Sequence, residues 1–185
     1  MDNLKRRKLA YNRKVWLNLI ESEDQANKFM IKNIKSKGHR GFTGAAGEYL
    51  VAAEISRQNT IATITSKNTP NIDILASSID GERTANIQVK TGRRTTGGFI
   101  VGSKPMKPLG KNFFYVFVLL KEIGEFEYWI IPQDIVAETA ESAYQNWIKN
   151  RSNRSKRAPR TFKWEWLRSK EFNKYHNNWG ILRLW

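Results

Sequence analysis

Cysteine is absent from this 185-residue chain, so disulfides, thiolate nucleophiles and thiolate zinc sites are excluded. Histidine is scarce. His39 and His176 are the only two, too few for a histidine metal cage. Any bound cation is therefore expected to be a hard one held by oxygens. Long apolar runs are missing as well. The longest, Phe113 to Leu120, has the length of a buried strand and falls short of the ~18 residues that span a bilayer. Lys5-Arg6-Arg7-Lys8 has no apolar core behind it, so no secretion signal is read there. The expectation is a soluble cytoplasmic protein with no membrane partner. Acidic residues are the last shortage: 17 Asp and Glu face 32 Lys and Arg, a formal charge of +15. That excess points to a polyanion, and nucleic acid fits it better than a membrane surface.

What is present suffices for one ordinary core plus an appendage, since 40% of the residues are hydrophobic. Residues 1–40 read as a basic helical extension with 11 basic and 4 acidic residues. Leu9, Trp16 and Ile20 recur at helical spacing. Ser22 and Gln25 fit a capping box that opens a second helix bearing Ala26, Phe29, Met30 and Ile34. This extension can embrace nucleic acid, pair two protomers or simply pack on the domain that follows, residues 41–185.

In that domain Thr43 is read as the cap of a helix from Gly44 to about Gln58, with Ala45, Ala46, Ala52 and Ala53 allowing close approach to a sheet. Three strands follow, Thr60–Thr65, Ile72–Ala76 and Arg83–Thr91, the last two joined at the turn signal Asp80-Gly81. Thr95 to Lys111 reads as a mobile loop with at most a short element inside. Phe113–Leu120 and Phe126–Ile131 read as an antiparallel pair turned at Gly124. Ala140, Ala143, Tyr144, Trp147 and Ile148 mark an amphipathic helix, and Thr161 to Trp166 alternates like a strand.

The chemistry-bearing residues gather between Gly44 and Arg94. In Asn86-Ile87-Gln88-Val89-Lys90 alternation sends Ile87 and Val89 to one face, and Asn86, Gln88 and Lys90 to the other. Asp73 lies among Ile72, Ile74 and Leu75 and faces away from the apolar side. The hairpin then brings Asp73 to Gln88 and Lys90. The side-chain oxygens of Asp73 and Gln88, with the carbonyl of Val89, can supply half of an octahedral Mg²⁺ shell, with Mn²⁺ as a substitute. Lys90 beside this anionic cluster is expected to stay an ammonium, suited to orienting water and stabilising phosphorane charge. Glu48 can reach the cation from the preceding helix. The plain structural alternative is a solvated strand face and a glutamate of raised pKa.

Gly44-Ala45-Ala46-Gly47-Glu48, Pro70-Asn71-Ile72-Asp73 and Ile87-Gln88-Val89-Lys90-Thr91 resemble the PD-(D/E)xK nuclease superfamily. The likeness is to its Gln-x-Lys variant, found in Mrr-type restriction nucleases; archaeal Holliday-junction resolvases share the helix glutamate. It covers residues 41–94 closely and extends weakly to Phe126–Pro132 and Asn178-Trp179. The resemblance implies an α/β fold, a restriction-endonuclease-like mixed sheet flanked by helices, after the helical N-terminal extension. It also implies Mg²⁺-dependent endonucleolytic cleavage of DNA with Asp73, Gln88, Glu48 and Lys90 as the site. Two departures stand out. Pro70 precedes Asp73 by three residues, and Gln88 replaces the usual second carboxylate. A catalytically inactive nucleic-acid-binding module of the same fold is the alternative.

Substrate contacts fall on the acid-free stretch from Arg83 through Lys121, which holds eight basic residues. Arg93 and Arg94 suit backbone phosphates, and Lys104, Lys107 and Lys111 a closing loop. Lys149 to Lys163 adds seven more basic residues and no acid. Trp164 and Trp166 are candidate base-stacking platforms. DNA is the expected partner, RNA remains open, and a homodimer would place one site on each strand.

Overall fold

The structure, a computed structural model, describes residues 25, 40–66, 69–93, 97–102, 109–121, 124–149 and 160–185. Arg40–Trp185 forms one compact unit. The expected helical extension lies outside the described residues, apart from Gln25 and the helix start at Arg40.

Helix α1 spans Arg40–Arg57. Gly47, Val51 and Ile55 recur every fourth residue and are buried, which lays one stripe of the helix on the sheet. Asn59 at φ +58 stops it, while Thr60 Oγ1 donates to the Ile55 carbonyl at 2.6 Å. The helix starts four residues before Gly44, so Thr43 lies inside it and is not its cap. One threonine cap typically contributes only about 1 kcal/mol to where a helix begins.

Strands β1 (Ile61–Ile64), β2 (Ile74–Ser77) and β3 (Thr84–Gly92) form an antiparallel meander. Gly81 at φ +77 turns β2 into β3, and Ser78 N–H donates to the Arg83 carbonyl at 2.9 Å. Strand β4 (Gly98–Gly102) leaves the sheet, and β5 (Phe113–Leu120) returns parallel to β3. Strand β6 (Phe126–Pro132) pairs antiparallel with β5, giving the mixed five-stranded order β1-β2-β3-β5-β6. Helix α2 (Gln133–Lys149) follows, and β7 (Arg160–Lys163) comes back to pair with β4 as a separate two-stranded ribbon.

The sheet has a core on each face. On one, Val51 and Ile55 of α1 cover Ile87, Val89, Val116 and Val118. On the other, Phe113, Tyr115, Phe117 and Leu119 lie under the ribbon, α2 and the C-terminal turns. Strand β5 is buried from Phe113 through Leu119, as its unbroken apolar run requires. The expected strand Thr161–Trp166 ends early, at Lys163. Trp164 and Leu167 are both buried, a three-residue spacing that a strand cannot put on one face, and Trp164–Leu167 forms a helical turn, α3.

Arg160 fastens the ribbon to α2. Its side chain is only 5% exposed, pairs with Glu141 and lies 4.0 Å from the centre of the Tyr144 ring. The hydrogen bond from Arg160 holds the Glu141 carboxyl below its usual value of 4.5. A carboxylate favoured in the folded state stabilises fully above its unfolded pKa, and that contribution is lost as pH falls through the folded one. Glu141→Gln is therefore expected to cost about 1–3 kcal/mol at pH 7 in urea unfolding. The deficit relative to wild type should shrink when the titration is repeated near pH 3.

Candidate active site

Strand β2 begins only at Ile74, while β3 continues five residues past its partner Ile87 to Gly92. Asp73 sits where the two strands part. Its N–H donates to the Ile87 carbonyl at 2.8 Å, and its carbonyl accepts from Thr65 N–H at 2.9 Å. With the main chain thus turned toward β1, the Asp73 carboxylate takes over the ladder. Oδ2 accepts the Val89 N–H at 2.7 Å. Charge-assisted hydrogen bonds of this kind are short and directional, so the carboxylate is fixed against the β3 backbone.

Asn86 N–H donates to Asn112 on the β5 side, whereas the Ile87 carbonyl and Val89 N–H point to Asp73. Strand alternation therefore turns the Val89 carbonyl to the Asp73 side too. Gln88 and Lys90 pair with Tyr115 and Phe117 and share their sheet face, opposite α1. Asp73, Gln88, Val89 and Lys90 thus meet at one open end of the sheet. The carboxylate, amide and main-chain oxygens are hard donors of the kind Mg²⁺ takes, so the donor chemistry fits that ion. Among the described residues no three His, Asp or Glu side chains gather to hold a metal.

Lys90 is half-buried. Burial pulls its ammonium below the ordinary lysine value of 10.5, and the Asp73 charge works in the opposite direction. Of the two effects desolvation is the larger. Tyr115, which the sequence reading passed over, also belongs to this neighbourhood. Burial, with the Asp73 charge second, raises its hydroxyl to about 12, so it stays a neutral phenol. A single hydroxyl inside an apolar strand was the available signal.

Glu48 is half-buried on α1, one residue past the tightest helix–sheet contact. A Cβ added at Gly47 would lie 1.8 Å from Thr91 Oγ1 and 2.9 Å from its Cβ. The close approach expected from alanines is set by Gly47, and Ala53 faces solvent. Thr91 Oγ1 is buried without a hydrogen-bond partner among the described residues.

The anticipated phosphate-binding residues separate. Arg93 is exposed just beyond β3, at the end where Lys90 lies. Lys111 stands before β5, at the other end of the sheet, roughly 20 Å along the strand from the position paired with Lys90. There it lines a hollow of ≈ 460 Å³ with Pro132, Gln133 and Arg183. Arg94, Lys104 and Lys107 lie outside the described residues. Trp164 is no stacking platform, because it is buried against Phe99 and Trp129; Trp166 is half-buried and edge-on to Phe162.

No protein-family model matches the chain, and no curated protein matches it. Among solved structures it is similar to a bacterial homing endonuclease, I-Ssp6803I, at 14% identity and a TM-score of 0.42, over 79% of this chain and 95% of that one. No described helix is long and apolar enough to cross a membrane.

The Gly47–Thr91 contact yields opposite expectations for two substitutions. Gly47→Ala must push α1 from β3 and should cost about 1–3 kcal/mol. Thr91→Val keeps the shape and removes an unpaired buried hydroxyl, so it should be neutral or stabilising by about 1 kcal/mol. Chemical unfolding of both variants measures this; equal destabilisation would contradict the packing described.

Proposed function

We propose that this protein is a Mg²⁺-dependent endonuclease of the PD-(D/E)xK type that hydrolyses phosphodiester bonds in DNA. In this reading residues 1–40 form a basic helical extension and 41–185 the nuclease domain, with two chains acting as a pair on the two strands. The supporting observation is the Asp73 carboxylate fixed on the Val89 N–H where β3 outruns β2, with Gln88 and Lys90 beside it. Asp73, Gln88, the Val89 carbonyl and Glu48 would hold the cation, which when bound polarises the phosphate and acidifies water. The Lys90 ammonium orients water toward phosphorus and neutralises charge on the phosphate oxygens as the P–O bond breaks. The Asp73 hydrogen bond to Val89 keeps the carboxylate in place before substrate arrives, and Arg93 supplies a backbone phosphate contact.

Gln88 favours a second reading. An amide in place of a carboxylate removes one negative charge and weakens cation binding. A non-catalytic binder would hold DNA tightly and never cut it. The deciding assay incubates supercoiled, linear and four-way-junction DNA with Mg²⁺, Mn²⁺ or EDTA. Cutting is expected with either cation and none in EDTA. Asp73→Ala and Lys90→Ala are expected to lower cutting at least ~10²-fold while binding is retained. Full activity in both variants would sink the assignment.

The pH profile tests the role of Lys90. A group needed as an ammonium gives a rate that falls on the alkaline side, and burial moves that fall below the ordinary 10.5. Lys90→Arg should retain some cutting and lose this alkaline limb, because a guanidinium stays charged. A rate that climbs steadily through the same range would instead mark Lys90 as a base.

A further inference from the structure

The β4–β7 ribbon takes no part in the proposed chemistry, yet it is seated directly beside it. Its inner residues Phe99 and Phe162 pack on Phe117 at ring-centre distances of 5.0 and 4.9 Å, and Phe117 is the register partner of Lys90. The Phe99 ring also closes on Gly92, 3.2 Å from where a Cβ would stand. The ribbon therefore rides on the sheet face that carries Gln88 and Lys90, about 10 Å above it.

Its outer face points away from the sheet. The pairs there are Gly98 with Lys163 and Ile100 with Thr161. Ile100 is 60% exposed, and Lys163 is exposed next to it. Gly98 admits no side chain, because a Cβ would meet the Phe162 carbonyl at 2.5 Å, so bare backbone is presented at that corner. In sequence the ribbon is bracketed by Arg93-Arg94, Lys104, Lys107 and the run from Lys149 to Lys163, with no acidic residue in either stretch. Sequence flanks of this charge suit a polyanionic partner. The major groove of B-DNA, about 12 Å wide, admits a two-stranded ribbon. The deep, narrow groove of A-form RNA does not.

We propose that the outer face of the β4–β7 ribbon enters the major groove of duplex DNA and gives the protein a sequence preference. Ile100 meets a thymine methyl, Thr161 a neighbouring base edge, and Lys163 a phosphate. The inference deepens the endonuclease reading and rests on it for duplex DNA as the substrate.

The test selects duplexes from a random pool with the full-length protein in EDTA, for wild type, Ile100→Ala and Lys163→Ala. Wild type is expected to select a short motif containing thymine. Ile100→Ala should lose preference at that position. Replacing that thymidine by deoxyuridine should weaken wild-type binding roughly fourfold, the worth of one methyl group, and leave Ile100→Ala unaffected. Lys163→Ala should weaken all sequences alike and reduce the salt slope by about one. Ile100→Thr, which keeps the β-branch, serves if alanine loosens the ribbon.

An unselective wild type, an unchanged motif in the Ile100 variants, or preference for RNA or single strands overturns the inference. Cutting with Mg²⁺ is scored separately. Ribbon-dependent selection without cutting overturns the nuclease reading alone; cutting with an unchanged motif overturns the ribbon alone.

Discussion

The parallel ladder between β3 and β5 is the constraint on which the remaining architecture turns. Register runs from Asn86–Phe113 to Gly92–Leu119, between two faces that are both packed. A slip by one residue would carry Ile87 and Val89 away from α1 and drive Gln88 and Lys90 beneath it. Two full cores therefore protect the register that assembles the polar group. A parallel pair also requires a crossover connection, and here the crossover carries β4. The site and the ribbon beside it thus follow from one topological choice.

The open end of the sheet arises from unequal strand lengths. Because β2 begins only at Ile74, no described strand pairs with the last residues of β3 on that side, and the Asp73 carboxylate takes that ladder position. One side chain so performs a structural duty and, in the proposed reading, a chemical one. Lys90 shows the opposing cost. It is held where burial disfavours its charge, and the Asp73 charge acts to restore it. A lysine kept in such surroundings is what the proposed chemistry would require.

Local patterning made much of this legible. Alternation in Asn86 to Lys90 gave the correct faces, Asp80-Gly81 gave the hairpin, and the run Phe113–Leu120 gave a strand buried on both sides. Pairing between distant segments was not legible. Tyr115 joins the Asp73 neighbourhood only through the parallel register, which no local signal specifies. Strand β4 was hidden by its glycines, because its partner β7 lies beyond α2. Trp164 looked like one step of an alternating strand and became part of a helical turn, since burying Leu167 with it required helical spacing. The Gly47–Thr91 contact needed three-dimensional proximity; the alanines around it only hinted at a close helix.

The late return of β7 shapes how the chain is made. Gly102 is followed by 57 residues before Arg160 begins the strand that completes the ribbon. On a ribosome, the five-stranded sheet is complete in the nascent chain before β7 emerges. Phe99 and Phe117 then wait without the Phe162 ring that covers them in the finished protein. Non-local pairings close slowly, and an uncovered aromatic face is prone to association in the interval. During biosynthesis, the surface that ends up beside the polar group is thus open to association until β7 arrives.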